Sequence, residues 1–160
     1  MTPIEIAKVN FQQAKGRMEH AVGTTPEDRL NWSPSPTARS PLHQFAHAAN
    51  AVKMILGQLQ GTPFPILDTA EADKSFRQWE TNVRSRADAQ AVWDANCAEY
   101  ASWLDGLNPA DLERVIQLPF GLGHACLAEA LTFVPMHTNH HSAQIEYIQT
   151  IYGDQDWHMG

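Results

Sequence analysis

The stretch HACLAEALTFVPMHTNHHSAQIEYIQTIY (residues 124–152) reads as one long helix, with Gly153 as its stop. On a wheel of about 100° per residue with His137 at zero, His141 falls at about 40°, Ala130 and Ile148 at about 20° and Val134 at about 60°. Cys126 and Gln144 lie at about 340°, and Phe133 and Ile151 at about 320°, on the same wheel. Thr138, Asn139, Ser142, Glu146, Gln149 and Thr150 gather on the opposite arc. His137 and His141 therefore stand in the middle of the face expected to be buried.

Burying a polar group without partners costs roughly 1–3 kcal/mol, and here two lie one turn apart. A single histidine in a core is ordinarily a hydrogen-bonded structural residue. Two at i, i+4 on one apolar stripe are placed to grip one ion. His140 falls at the edge of the buried arc and reads as a supporting neighbour, an interface residue or an exposed one. Pro135 lacks a backbone donor and predicts a kink half a turn before His137.

Three more helices precede this one. Thr2, Pro3 and Glu5 write a capping box for a first helix running to about Val22. Prolines 26, 34 and 36 make residues 24–39 a connector. Ser40 and Pro41 open a second helix to about Gln60, ahead of Gly61 and Pro63. Residues 62–84 fit either a short helix, around FRQWETNVR, or an ordered loop. The third long helix starts near Ser85, capped with Asp88, and carries Val92, Trp93, Cys97, Tyr100, Leu104 and Leu107 at helical spacing until Asn108-Pro109. VIQLPF (115–120) is the one strand candidate, and it is short. The expected architecture is a single all-α domain over residues 1–160, a bundle of four helices.

A third imidazole has to come from the second helix, which offers His43 and His47. Its most apolar arc holds Phe45, Ala48, Ala49, Val52, Ile55, Leu56 and Leu59. His47 borders that arc beside Ala51 and Met54, and His43 lies further out. Periodicity permits either one. The same helix is apolar over more of its circumference than one bundle core requires, which predicts burial against a partner subunit.

The totals narrow the function. With 11 basic against 18 acidic residues and a formal net charge of −7, neither nucleic acid nor an anionic membrane is expected as a partner. No segment approaches the roughly 20 apolar residues of a membrane span, and the first residues, MTPIEIAKVN, lack the pattern of a signal peptide. A cytoplasmic protein is expected, with Cys97 and Cys126 as two buried thiols. Thr138 follows His137, so the HExxH metalloprotease pattern is absent, and no Glu-x-x-His exists to build a carboxylate di-iron site.

At NWSPSPTARSPLHQFAHAAN (31–50) and HTNHHSAQI (137–145) the chain resembles the DinB/YfiT superfamily of metal-dependent enzymes. The first segment is similar to the family's region of tryptophan and prolines before a serine-started helix bearing one histidine. The second is similar to its HxxHHxGQI element, and LPFG (118–121) and YGD (152–154) fit the usual surroundings. The resemblance chooses His47 over His43 and implies a ligand set of His47, His137 and His141. It implies a DinB/YfiT-type four-helix bundle, often a homodimer, holding zinc, nickel or a similar divalent ion, iron included. Ala143, where glycine is common, and Pro135 depart from the family pattern.

Three neutral imidazoles leave coordination positions open, which is the pattern of a catalytic rather than a structural site. An ion so held can acidify water, polarise a carbonyl or hold a thiolate. The resemblance therefore implies a small-molecule substrate, with a low-molecular-weight thiol as co-substrate for an S-transferase, or water for a hydrolase. The competing expectation is a non-catalytic dimeric bundle, a binding or stress-response protein, with a structural or vestigial metal site. A pocket beside the histidines separates the two readings. Glu129 is a candidate neighbour of the site, Gln144 a candidate orienting group, and Trp32, Trp157 and His158 candidates for a pocket wall or dimer contact.

Overall fold

The computed structural model describes residues 1–158. Four long helices form the bundle: α1 (Pro3–Thr24), α2 (Pro41–Leu59), α4 (Arg86–Asp105) and α6 (Phe133–Ile151). Between them lie α3 (Thr69–Glu80), the short α5 (Leu127–Ala130), and a two-stranded antiparallel sheet of β1 (Val115–Gln117) and β2 (His124–Cys126).

The caps fall where the sequence puts them. Thr2 and Glu5 exchange hydrogen bonds at the start of α1, and Ser85 and Asp88 do the same at α4. Ser40 Oγ accepts from the His43 backbone N–H at the start of α2, with Pro41 just inside. From these starts α1 buries Ala7, Phe11, Ala14, Met18 and Ala21, while α4 buries Ala89, Trp93, Cys97, Tyr100 and Leu104. Rings mesh across the core: Phe11 meets Tyr100 edge-on at 4.7 Å between centroids, and Phe45 lies 5.5 Å from Trp93. Buried polar groups find partners, as Asn96 Nδ2 donates to the Ala49 carbonyl at 2.8 Å and ties α4 to α2.

Round the bundle the order is α1, α6, α2, α4, with α2 also touching α3 and β1. These neighbours cover much of the apolar circumference of α2, and Ala51, Met54 and Ile55 stay half-buried beyond them.

The fourth predicted helix is shorter than the pattern suggested. Residues 124–126 pair as β2 with β1, in the register Ile116 opposite Ala125. After α5 the chain turns at Leu131 and Thr132, and only then does α6 begin. Pro135 is the third residue of α6, where the backbone N–H has no helical partner to lose, so the proline starts a helix rather than kinking one. The uncertain segment 62–84 contains α3, whose N-cap Asp68 accepts from the N–H groups of Ala70 and Glu71.

The polar arc of α6, left outside the face expected to be buried, is itself partly buried. Thr138, Ser142 and Gln149 are buried, on a helix that packs against α1 as well as α2. Gln149 Nε2 donates to the Ala21 carbonyl at 3.0 Å and to Thr24 and Thr25 Oγ1 at 3.1 Å each. Among the described residues no helix is long and apolar enough to cross a membrane.

Candidate metal centre

Helices α2 and α6 bring His47, His137 and His141 together, with one ring nitrogen of each within 4.8 Å of the others. His141 Nε2 lies 3.3 Å from His137 Nε2. That spacing matches the edge of a tetrahedron with bonds of about 2.0–2.1 Å, the usual zinc–imidazole length. Two lone pairs this close repel unless a proton or a cation lies between them.

The remaining ring nitrogens are anchored. His47 Nδ1 is 2.8 Å from Glu80 Oε1. A carboxylate only accepts, so Nδ1 carries a proton and Nε2 is the ring nitrogen turned toward the other two histidines. His141 Nδ1 is 2.6 Å from Gln44 Oε1, which fixes its tautomer in the same way. Acceptors behind the outward nitrogens are the usual support of metal-ligating histidines.

Glu80 closes α3 and is itself held from behind. Arg39 Nε donates to both its oxygens, at 3.0 and 2.8 Å, and a second Arg39 nitrogen reaches Asp73 at 2.8 Å. Burial works against the Glu80 carboxylate, but hydrogen bonds from His47 and Arg39 outweigh it and hold the group below the ordinary glutamate value. Burial, helped by neighbouring positive charge, pushes His137 down to about 4 and His141 down to about 2. Both imidazoles are therefore neutral at pH 7, the form a metal ion requires.

Two clefts border the cluster. One, of about 430 Å³, is lined by His47 and His137 with Ala51, Met54, Ile55, Gln58, four phenylalanines and the β1–β2 loop residues Leu118, Pro119 and Leu122. Phe120, at the tip of that loop, stands in the left-handed region (φ 57°, ψ 25°), followed by Gly121 at φ 70°. A bulky residue there costs on the order of 1–2 kcal/mol, and the turn carries its ring to the cleft wall, 5.2 Å from Phe64. The other cleft, of about 690 Å³, is of mixed character, more polar than the first, and is lined by His141 with Arg39, Arg77, Gln44, His140 and Gln144 beside Tyr147, Ile148 and Ile151.

The model of the DinB superfamily matches residues 10–145, which span the three histidines, the apolar cleft and the greater part of every bundle helix. The chain belongs to that superfamily. Among solved structures, this DinB protein is similar to a conserved protein from Enterococcus faecalis, at 17% identity over 96% of this chain and 99% of that one, with a TM-score of 0.70. It is similar to DfsB, a sibling lethal factor precursor, at 12% identity over 96% and 98% of the two chains, with a TM-score of 0.74. YfiT from Bacillus subtilis, described as a probable metal-dependent hydrolase with an unusual four-helix bundle topology, aligns at 15% identity over 94% and 87%, with a TM-score of 0.73. At these identities the likeness shows a shared fold. No curated protein matches the chain.

The other candidates fall elsewhere in this DinB fold. His43 is half-buried at the start of α2 and outside the cluster. His140 is exposed on the wall of the more polar cleft, with Nε2 3.2 Å from Gln144 Nε2. Glu129 is exposed and caps α5 by accepting from the Cys126 N–H at 3.2 Å, so it is no neighbour of the histidines. Trp157 is exposed, Trp32 packs edge-on against Tyr152 at 5.9 Å, and His158 bonds Asp154 at 2.8 Å; none of the three lines a histidine cleft. Cys97 is buried as expected, and Cys126 is only half-buried.

Glu80, Gln44 and Arg39 were missed. Glu80 lies in the segment whose structure the pattern left undecided, and nothing local marks it as facing His47. Gln44 had a readable signal: it stands three residues before His47, on the same side of α2.

Proposed function

We propose that this DinB protein is a divalent-metal-dependent enzyme acting on a small molecule, with thiol S-transfer favoured over hydrolysis. The observation that carries the reading is the convergence of three imidazole nitrogens, two with their far side held by Glu80 and Gln44, at the junction of two clefts.

His47, His137 and His141 would hold the ion, zinc or nickel being the best match to neutral imidazoles, with iron also compatible. When bound, the ion supplies Lewis acidity toward a coordinated thiol, water or carbonyl. The chain's own groups do the rest. Glu80 and Gln44 keep protons on the outer ring nitrogens and fix both ring planes. The apolar cleft excludes water beside His47 and His137. Arg39, Arg77 and His140 suit the carboxylates of a low-molecular-weight thiol on the other side.

The preference for thiol transfer comes from what the walls lack. Among the described residues, neither cleft is lined by an aspartate or glutamate. A hydrolytic path with a carboxylate general base has no such base at hand. A thiol starts far closer to neutrality than water does, so the same ion would leave it ionised at pH 7 with its proton released to solvent.

The test begins with metal content of protein purified without chelator, beside His141→Ala handled identically. Near-stoichiometric metal in the parent and its loss in the variant are expected. The loaded protein is then given glutathione with 1-chloro-2,4-dinitrobenzene, and separately 4-nitrophenyl acetate. Thiol conjugation that disappears with His141→Ala supports the transferase, and ester cleavage alone supports the hydrolase. A folded parent that takes up no metal on titration would return the chain to the non-catalytic bundle.

A further inference from the structure

The apolar cleft carries information about what enters it. Its walls include Met54, Ile55, Phe64, Phe76, Phe120 and Phe133, and among the described residues no Asp, Glu, Lys or Arg lines it. A charged group moved into such surroundings loses its hydration with nothing to replace it, so the walls select against ions. The facing rings give a planar body edges and faces to stack on: Phe64 lies 6.0 Å from Phe76 and 5.2 Å from Phe120.

One polar side chain interrupts the apolar lining away from the histidines. Gln58 borders the cleft, and its Nε2 has no hydrogen-bond partner among the described residues; the atom is tucked out of solvent contact, and rotation of the unanchored amide about its side-chain torsions brings it to the cleft. A buried donor left unpaired is costly and calls for an acceptor from outside the chain. Gln58 shares one stripe of α2 with His47, Ala51 and Met54, at spacings of four, three and four residues. At 1.5 Å rise per residue, the eleven residues from His47 to Gln58 span about 16 Å along the helix. The orphaned donor and the imidazoles thus lie at opposite ends of one cleft.

We propose that this cleft binds an elongated, uncharged substrate with an aromatic body and a hydrogen-bond acceptor at the end remote from the histidines, where Gln58 donates to it. This substrate class rests on the metal-enzyme reading, since the reacting end is the one beside His47 and His137. The cavity of about 430 Å³ lies within the usual range for small-molecule sites.

The probes are three naphthalenes of matched shape, each carrying 2-dimethylamino: the 6-propionyl ketone, its 6-propyl analogue without the carbonyl, and the 6-carboxylate. Binding of the ketone is followed by the blue shift of its fluorescence, and binding of the propyl and carboxylate probes by their displacement of a bound apolar dye, on metal-loaded and on metal-stripped protein. The ketone is expected to bind both forms, and the carboxylate at least about tenfold more weakly. Gln58→Leu is expected to weaken the ketone about tenfold and to leave the propyl probe within about twofold. Ala51→Trp, which fills the cleft from a half-buried position, is expected to remove both. Absence of ketone binding to the parent, equal binding of the carboxylate, or a Gln58→Leu effect shared by both neutral probes would overturn the inference. Metal content separates the two readings: selective probe binding by a protein that takes up no metal sinks the enzyme alone, and metal uptake without probe selectivity sinks the substrate class alone.

Discussion

His47 owes its usefulness to a residue 33 positions away. Glu80 is almost fully buried, its side chain 2% exposed, and it is shared between His47 and Arg39. Glu80→Gln keeps the shape but removes the charge that favours a protonated Nδ1 on His47. Metal affinity is expected to fall about 10–100-fold, the usual effect of losing a partner behind a ligand, as read by competition with a chromophoric chelator. Stability is expected to fall by on the order of 3 kcal/mol, because Arg39 loses its buried counter-charge; a denaturant titration with unchanged midpoint would contradict this. The lowered values of His137 and His141 give a second prediction. In the metal-free protein they stay neutral down to about 4 and about 2, whereas in the unfolded chain they protonate near about 6.5. Below about 6.5 the unfolded state therefore binds more protons, and stability should decline as pH falls toward about 4 while holding steady above 7. Urea midpoints of the metal-free protein across this window check it, and His141→Gln should flatten the slope.

At the level of elements, the most informative error in reading the sequence concerns α6. The wheel centred on His137 found the face that meets His47, yet the polar arc opposite, left outside the face expected to be buried, is itself partly buried. A four-helix ring buries two flanks of each helix, and small hydroxyls and amides serve the flank that meets α1. Gln149→Met should accordingly cost about 1–3 kcal/mol, because the Ala21 carbonyl loses one of its donors and the buried Thr25 and half-buried Thr24 hydroxyls lose theirs. A thermal midpoint within a degree of the parent would show that Gln149 does not tie α6 to α1. The caps of α1, α2 and α4 were legible because they are written in neighbouring residues. The break at Leu131 and Thr132 was not. Residues 124–126 leave the helix to pair with a strand nearly ten residues earlier, and helical periodicity carries no record of a partner. Glu80 was hidden for the same reason: its role depends on how α3 lies against α2, which no local pattern encodes.

For the whole molecule, core and surface can be read chemically through the cysteines. Cys97 is buried among the rings of α4, and burial pushes its thiol up to about 12, while Cys126 is half-buried at the end of β2. The folded protein is expected to leave one thiol unreacted with a disulfide dye at pH 8, and denaturant to release the second. Two fast-reacting thiols in the native state would mean a looser core than the packing of Trp93 and Tyr100 implies. The division of labour between elements reaches further. The three imidazoles come from α2 and α6, neighbours in the bundle ring, while part of the apolar wall comes from residue 64, α3 and the 118–122 loop. On the proposed reading, the ligands and one part of the substrate wall are thus inherited on separate pieces of chain. A lineage can then adjust its diet by editing one short loop, whose substitutions leave both ligand helices untouched.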